Sequence, residues 1–487
     1  MKSRARPQHA VGEPTAAVPP LVTPLAPEAV PASPASIFTG PLRTTSVGIL
    51  VLITFVAFEA LAVATALPTA ATHLHGLAHY GWAFTGFLAA NVLGMVTSGQ
   101  VSDTRGPRLP LVAGIATFLL GLILAGSAVT MAQLVTGRVV QGLGSGALIT
   151  AVYVVIGGQY PESLRPKVFA ALASAWVVPS LVGPLVAGAV TEHVGWRWVF
   201  LGLIPLVVVG GALMVPSLRM LGRPPRDHDA RLADPRRIVH AVAAALGVAL
   251  LAHAGQNPTA TSLAAGVVGL LVMVWGLRTL LPAGTLSSRP GVAAPIALRG
   301  IFAGAFFGME AVLPLSMTEQ HGYSPLAAGL PLAFSGVGWA LGSAWQGREA
   351  QVDDAARRIR LLRTGFALVV VCAVGLVVTV QPGSPAWLVF PSWAVGGFGG
   401  GLTMASANVL LLRYTNDRDR GADSASLQLS DATASALTTG VAGMLVAAAA
   451  RETLSYTATF TVLNLAMAAL AAVGVLASSR GRRPPTA

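Results

Sequence analysis

The chain has 487 residues, of which 54% are apolar and 10% are charged, whereas an ordinary soluble domain has about 25% charged residues. A water-soluble fold of this size cannot bury that much apolar surface, and a single cysteine excludes a secreted disulfide scaffold. The net charge of +12 would suggest a nucleic-acid partner in a soluble domain. In so apolar a chain we interpret it as loop charge facing an anionic lipid leaflet, and we expect no nucleic acid.

The N-terminal tail is the first distinct segment. Residues 1–46 contain nine of the 33 prolines and lack the apolar stretch of a signal peptide, so we expect a retained, disordered cytoplasmic tail. Beyond it, apolar runs of about 20 residues, long enough to cross a bilayer, alternate with short polar breaks. The predicted spans are 47–70, 82–101, 109–129, 132–157, 168–190, 197–217, 238–255, 260–281, 297–318, 325–346, 361–381, 386–412, 424–449 and 454–478.

These fourteen spans predict an all-α integral membrane protein arranged as six, two and six helices. The predicted units are a six-helix bundle at 47–217, a basic loop at 218–237, an inserted helix pair at 238–282, a second six-helix bundle at 297–478 and a tail at 479–487. Glu59 in the first span and Glu310 in the ninth occupy similar depths, as in an internal repeat. Duplicated six-span halves are typical of secondary transporters, which bind substrate at the midplane between the halves.

The Lys and Arg count indicates the orientation. With the N-terminus in the cytoplasm, 28 of the 31 Lys and Arg residues fall in cytoplasmic segments, as the positive-inside rule requires. Only Arg197 and Arg451 fall outside, and Arg138 lies within a span. Arg299 is counted here with the cytoplasmic loop before the ninth span. We therefore expect both termini in the cytoplasm of a bacterial-type inner membrane.

Polar and glycine motifs mark the second span and the loop after it. The motif consists, in chain order, of Gly99, Asp103, Arg105, Gly106 and Arg108. Glycine allows close helix approach, and the aspartate and arginines can form a charge cluster that locks two helices on the cytoplasmic side. We predict a gate at this position.

The fourth and fifth spans carry two more motifs. An arginine inside hydrocarbon costs at least about 2.5 kcal/mol, so Arg138 should face a polar cavity or a carboxylate. Gln141 and Gly142 follow about one turn later. In the fifth span, Gly183, Pro184 and Gly188 combine a missing backbone donor with room for a neighbouring helix.

Together these motifs resemble those of the major facilitator superfamily, and the Trp196–Phe200 string resembles its fourteen-span drug:proton antiporters. The resemblance covers most of residues 47–217, with Thr104 and Pro107 in the loop motif, and Pro179 and Ala187 in the fifth span, departing from the usual residues. It implies the major facilitator fold, an antiporter motif at Gly183–Gly188 and a link of Arg138 to proton handling.

Three acids lie well inside predicted spans: Glu59, Glu310 and Asp431. Desolvation disfavours the charged form of a buried carboxylate, so such a group can hold a proton until water or a cation arrives. Carboxylates in spans are functional candidates by default. We predict that these three, with Arg138, couple protons to transport, although Glu310 could instead only position helices and Asp431 could cap a helix.

Other polar and aromatic residues within the spans are candidates for the substrate cavity, with packing as the alternative. They are Phe58, Asn91, Trp176, Trp339, Trp393 and Gln428. The histidines at 73, 75 and 79 lack an acid or cysteine to complete a metal site, so we expect no metal.

The resemblance to the fourteen-span antiporters implies proton-coupled export of amphipathic, drug-like small molecules by alternating access, and this is our hypothesis. No cofactor is expected, because the proton gradient would supply the free energy; the partners would be substrate, protons and the lipid bilayer, and the protein would be monomeric. Export of lipid or uptake of a polar metabolite remain alternatives on the same fold. A membrane enzyme or sensor is a less favoured alternative, since no catalytic constellation or large soluble segment is found.

Overall fold

A computed structural model describes residues 36–40, 42–161, 164–220, 235–256, 259–348, 355–416 and 420–481. Most of the predicted N-terminal tail and of the basic loop 218–237 lies outside these residues, as does most of the C-terminal tail. The described ranges contain sixteen α-helices and no β-strand. The helices are α1 Leu42–His73, α2 Tyr80–Arg105, α3 Arg108–Gly126, α4 Met131–Gln159, α5 Arg165–His193, α6 Arg197–Leu201, α7 Ile204–Met220, α8 Pro235–Gln256, α9 Ala260–Leu280, α10 Ala293–Glu310, α11 Leu313–His321, α12 Pro325–Arg348, α13 Ala355–Thr379, α14 Val389–Tyr414, α15 Arg420–Ala450 and α16 Tyr456–Ala477.

Thirteen helical segments of the described chain are long and apolar enough to cross a membrane, with α6–α7 and α10–α11 each counting as one segment. The helix α2 has 26 residues and packs among them, which brings the total to about fourteen. The prediction of an all-α membrane protein with about fourteen spans is confirmed.

The first and last six crossings pack by a common scheme. The pairs α2–α4, α3–α4, α1–α5 and α1–α7 correspond to α12–α14, α13–α14, α10–α15 and α10–α16. We call the two groups the N half (α1–α7) and the C half (α10–α16). The helices α8 and α9 pack on each other, and α8 also contacts α2 and α15. The inserted pair therefore bridges the two halves on one side.

The two halves are in close contact at one end of the molecule. We call the end where α1 begins and α16 ends the terminal end, and the opposite end the far end. At the far end, a Cβ atom on Gly81 of α2 would lie 2.3 Å from the Cα of Gly443 in α15, and one on Gly188 of α5 would lie 2.6 Å from the Cα of Leu326 in α12. The backbones of the halves touch there, so the far end is closed.

The space between α5 and α12 widens toward the terminal end. A Cβ atom on Gly336 would lie 2.9 Å from the carbonyl oxygen of Ser180, whereas one on Gly347, three turns nearer the terminal end, would meet nothing within 4 Å. Successive residues of a helix point about 100° apart around its axis. On α5, Gly183 faces α1 and Ser180 faces α12, and Trp176 points in a direction between these two. Trp176 is 43% exposed, so this gap is open between the halves.

Glycine sets the spacing of α2 and α4. A Cβ atom on Gly142 would lie 2.0 Å from the carbonyl oxygen of Phe87, and one on Gly146 would lie 2.1 Å from that of Asn91. A backbone atom cannot rotate away as a side chain can, so α2 and α4 must separate if either glycine is replaced.

We expect Gly142→Ala to lower the thermal stability of the purified protein in detergent. The overpacking costs about 1–3 kcal/mol, which outweighs the gain of about 1 kcal/mol in helix propensity. Gly157→Ala in the same helix is the matched control, because its Cβ would meet nothing within 4 Å. A melting temperature for Gly142→Ala at or above that of Gly157→Ala would contradict the close α2–α4 contact.

Candidate functional site

Glu59 and Arg138 form a buried ion pair in the N half. Glu59 of α1 is 0% exposed and Arg138 of α4 is 2% exposed, and the Arg138 Nη1 donates to Glu59 Oε1. The arginine Nε donates to the carbonyl oxygen of Ala83 at 3.3 Å, and its guanidinium lies 4.2 Å from the ring centre of Phe87. The sequence required a polar or acidic partner for Arg138, and the structure places Glu59 there.

Gln141 completes this cluster from the next turn of α4. Its Nε2 donates to Glu59 Oε1 at 3.3 Å, and its Oε1 accepts from Arg138 Nη1 at 3.1 Å. The neighbouring Gly142 lets α2 approach closely enough for Arg138 to reach Ala83. Glu59 Oε2 is buried without a hydrogen-bond partner among the described residues. Oε1 of Glu59 thus accepts two hydrogen bonds, whereas Oε2 has no donor in the part of the chain that the structure describes.

Glu310 is the C-half counterpart of Glu59 in depth. The stretches Leu42–Glu59 and Ala293–Glu310 are both eighteen residues long, counted from the start of their helices. The helix α10 ends at Glu310 because Pro314, in the first turn of α11, has no N–H to donate to the carbonyl four residues earlier. Within the described residues, the Glu310 side chain has no ion pair or hydrogen bond, although it is only 9% exposed.

Tyr80 joins the N half to this helix break. A helix break frees carbonyl oxygens of the last turn, and the Tyr80 hydroxyl donates to the carbonyl oxygen of Ala311 at 2.7 Å. Tyr80 is the first residue of α2, and Ala83, the acceptor for Arg138, follows one turn later. The first turn of α2 therefore contacts both carboxylate sites. Sequence reasoning missed Tyr80 and the break; Pro314 was the available signal.

An aromatic cluster lies on the same face of α10 as Glu310. Phe302 and Phe306 precede Glu310 at intervals of four residues. Phe306 stacks on Trp393 with ring centres 4.7 Å apart, and Trp339 meets Phe302 and Phe306 edge-on at 5.7 and 5.6 Å. Trp339 is half-buried, whereas Trp393 is 0% exposed. Of these two tryptophans, Trp339 is therefore the better placed to line a cavity.

Asp431 of α15 belongs to a second ion pair, inside the C half. Arg299 Nε donates to Asp431 Oδ2 at 2.7 Å, and Arg299 Nη1 donates to Asn408 Oδ1. Arg299 lies within α10 and not in the loop to which the charge count assigned it. One turn before Asp431, Gln428 Nε2 donates to the hydroxyl oxygen of Tyr153 in α4 at 2.9 Å. Sequence reasoning missed Arg299, Asn408 and Tyr153 as members of this cluster.

Two of the remaining cavity candidates lie within the N half. Asn91 Nδ2 donates to the carbonyl oxygen of Gly142 at 3.4 Å, so it joins α2 to α4. Phe58 lies beside Gly183 of α5, whose Cβ would be 3.6 Å from the Phe58 ring. With Trp176 in the terminal gap and Gln428 between the halves, the predicted cavity residues do not form one cluster.

The predicted gate motif turns the chain at the terminal end of α2. Gly106 has φ +82°, a conformation that favours glycine, and its N–H donates to Ser102 O at 2.9 Å to end the helix. No hydrogen bond or ion pair joins Asp103 to Arg105 or Arg108 in the described ranges. The charge of Arg237, at the start of α8, acts on Asp103. The gating role stays a prediction.

The Gly-Pro motif of α5 forms part of the far-end contact. Pro184 has no N–H for the carbonyl of Ser180, and Gly336 of α12 approaches that carbonyl. Gly329 approaches the Pro184 carbonyl, with its Cβ position at 2.8 Å, and Gly188 meets the backbone of Leu326. The motif thus provides a smooth surface on which α12 packs.

We expect Glu59→Gln to destabilise the protein, because it leaves the Arg138 charge buried without a carboxylate. Breaking a buried pair costs about 3–5 kcal/mol, whereas removing both charges is often nearly neutral. Thermal unfolding in detergent should therefore show a large loss for Glu59→Gln and a partial recovery for Glu59→Gln/Arg138→Gln. Glu319→Gln, at an exposed acid, is the control. Equal stability of the single and control variants would contradict the pairing.

Comparison with known proteins agrees with this architecture. Residues 47–421 match the family described as the Major Facilitator Superfamily. A solved auto-inhibited POT family peptide transporter has a TM-score of 0.63 at 17% identity, covering 90% of this chain and 98% of its own. A POT family transporter in complex with 5-aminolevulinic acid has a TM-score of 0.62 at 15% identity, covering 89% and 96%. At these identities the likeness shows the fold alone.

Curated relatives match over shorter stretches. Multidrug resistance protein 3 of Bacillus subtilis is 31% identical over 159 residues, covering 33% of this chain and 31% of the relative. An uncharacterized MFS-type transporter of Mycobacterium tuberculosis is 26% identical over 351 residues, covering 69% and 58%. The chain thus spans less than two thirds of the length of these relatives. The family match over residues 47–421 and the repeated six-helix halves identify the chain as a transporter of the Major Facilitator Superfamily, and not an enzyme.

Proposed function

We propose that this transporter exports amphipathic, drug-like small molecules in exchange for protons, by alternating exposure of a site between its halves. The proposal rests mainly on Glu310, a buried carboxylate with no partner of opposite charge among the described residues. An ionised group in that position is costly unless something neutralises it. Glu310 would therefore carry a proton until a positively charged or strongly polar group of the cargo reaches it.

The aromatic cluster beside Glu310 would supply the rest of the binding site, with Trp339 as the ring that reaches cargo. Trp339 of α12 is half-buried against α10, and Phe302 and Phe306 of α10 pack behind it at 0% and 1% exposed. Aromatic rings offer large apolar contact and attract cations, so the combination suits a molecule with an apolar body and one polar or cationic end. The partial match to a multidrug resistance protein supports the same class of cargo.

Glu59 would be the second coupling residue. In the present arrangement Arg138 neutralises the carboxylate, and Arg138 and Gln141 both donate to one of its oxygens, while the other has no hydrogen-bond partner in the described chain. A proton on Glu59 would weaken the ion pair and loosen α1 from α4. Protonation could then favour one orientation of the halves, while cargo at Glu310 favours the other.

The proton gradient is sufficient for export of a neutral cargo. One charge moved across about 100 mV contributes about 2.3 kcal/mol, and half a pH unit adds about 0.7 kcal/mol. The sum of about 3 kcal/mol supports a gradient of roughly 150-fold for a neutral cargo at one proton per cycle. We place both termini in the cytoplasm of a bacterial-type inner membrane, with the terminal end inside, because the Lys and Arg count favours that orientation. The functional unit would be a monomer.

We expect Glu310→Gln to abolish proton-driven export, while residual substrate binding or substrate–substrate exchange persists through the aromatic contacts that the substitution leaves in place. A glutamine keeps the shape and polarity of the site but cannot take up a proton at neutral pH. Purified protein in proteoliposomes, with an imposed pH gradient and a fluorescent lipophilic cation as cargo, measures both activities. Glu319→Gln, an exposed acid on α11, is the matched control and should retain wild-type coupling.

A double variant makes the assignment falsifiable. If Glu59→Gln/Glu310→Gln leaves proton-driven exchange unchanged, neither carboxylate couples transport. The wild-type cargo panel separates the alternatives on the same fold. Transport of lipid alone would favour a lipid exporter, and a response only to small polar solutes moving with protons would favour uptake.

A further inference from the structure

Two tyrosines of the N half, Tyr80 buried and Tyr153 half-buried, form hydrogen bonds with the C half, one at the far end and one in the terminal half of the molecule. Tyr80 begins α2 at the far end and donates to the carbonyl oxygen of Ala311 at 2.7 Å. Tyr153 lies six residues before the end of α4, in the terminal half, and its hydroxyl accepts from Gln428 Nε2 at 2.9 Å. A motion that separates the halves at the far end breaks the Tyr80 bond and can leave the Tyr153 bond intact. A motion that separates α4 from α15 breaks the Tyr153 bond, which is formed here although the gap between α5 and α12 is open.

Both residues of the Tyr80 hydrogen bond lie close in the chain to residues of the carboxylate sites. Its acceptor, Ala311, directly follows Glu310 at the break between α10 and α11. One turn after Tyr80, the carbonyl of Ala83 accepts from Arg138, which pairs with Glu59. A displacement of the first turn of α2 would therefore change the surroundings of both carboxylates.

The Tyr153 bond lies beside the other buried ion pair. Gln428 is one turn before Asp431 on α15, and Asp431 pairs with Arg299 of α10. The charges of Arg299 and Asp431 act on the Tyr153 hydroxyl. The second tyrosine thus contacts the C half where that half is braced internally by its own ion pair.

We propose that Tyr80 and Tyr153 are positioning residues with opposite effects, Tyr80 holding the far end closed and Tyr153 drawing α4 to α15 in the terminal half. The proposal rests on the alternating-access function proposed above. Neither tyrosine needs to touch cargo. Each adds one directional bond to an interface formed mainly by glycine and apolar side chains, and so each biases the equilibrium between the two orientations.

The chain offers a matched control for the loss of a tyrosine hydroxyl. Tyr160 is also buried, at 2% exposed, and its hydroxyl lies 2.8 Å from Ser46 Oγ. Both residues belong to the N half, so this bond does not change when the halves move relative to each other. Tyr160→Phe removes the same group at a similar cost to the bundle without acting on the equilibrium.

Spin-label distances measure the two openings directly. The buried Cys372 is first replaced by Ala, and cysteines for labelling are introduced in pairs at exposed positions. Val129→Cys and Thr453→Cys report the far end, in the α3–α4 and α15–α16 turns, and Thr104→Cys and Asn416→Cys report the terminal end. Distance distributions from each pair, without cargo, give the populations of the open and closed forms at that end.

We expect Tyr80→Phe to raise the far-end-open population by roughly 3- to 10-fold relative to the labelled parent, the effect of losing one hydrogen bond. Tyr153→Phe should shift the populations by a similar factor in the opposite direction, and Tyr160→Phe should leave them unchanged. Gln428→Leu should reproduce Tyr153→Phe, because it removes the other partner of the same bond.

Shifts of Tyr80→Phe and Tyr153→Phe in the same direction would overturn the proposal, as would shifts no larger than that of Tyr160→Phe. A general loss of packing would lower the melting temperature of all three variants, but it would not shift the populations in opposite directions. The distances are read without transport, so the outcome is separate from that of the export assay. If the expected shifts occur but no cargo moves with protons, the proposed function fails and the positioning role stands.

Discussion

A charge buried among membrane-spanning helices must be neutralised by a partner or by a proton, and this requirement organises the interior of the transporter. Arg138 is matched by Glu59 in the N half, and Arg299 by Asp431 in the C half. Each pair joins helices of a single half, so it braces that half internally. Glu310 is a buried acid without such a match in the described ranges, and for that reason it is the residue to which we assign proton and cargo binding in the proposed function.

The pairs can form only because the helix backbones approach closely. Gly142 and Gly146 of α4 lie against the carbonyls of Phe87 and Asn91 in α2. In lipid, no hydrophobic driving force favours association of one apolar helix with another, so small residues at the contact matter more than in a soluble core. The glycine contacts bring the guanidinium of Arg138 within reach of Glu59 and Ala83 at once.

The sequence predicts the spans well and the contacts between them poorly, for a physical reason. Hydropathy is a property of a segment, so fourteen spans and a repeated layout follow from it. The Glu59–Arg138 pairing joins residues 79 positions apart, and local pattern says only that the arginine needs some partner. The break after Glu310 was missed because residues 311–318 remain mostly apolar, and only Pro314 marks it. Arg299 was counted with the loop although it is the third residue of the predicted span 297–318, because a charge count assigns a residue to one side of the membrane and does not test whether it is buried.

Aromatic residues show the same limit. A tryptophan within a span can line a cavity or fill the core, and composition gives the same signal for both. The structure separates Trp176, 43% exposed in the gap between the halves, from Trp393, which is fully buried against Phe306. The direction of a side chain depends on which neighbouring helix faces it, and that is decided by tertiary packing.

The interface between the halves combines firm contact with few directional bonds. Along α2 and α15 it consists of Gly81 against Gly443, weak bonds from Thr85 at 3.4 Å, and an apolar cluster shared with α8. Apolar contacts can be exchanged for one another as helices slide, whereas a hydrogen bond must be broken before it is replaced. The inserted pair α8–α9 joins this side largely through the same apolar cluster, and such contacts can slide in the motion that we propose for the halves. Under the proposed mechanism, the hydrogen bonds between the halves would bias which end is open, and a proton or a cargo molecule would act on the transporter through them.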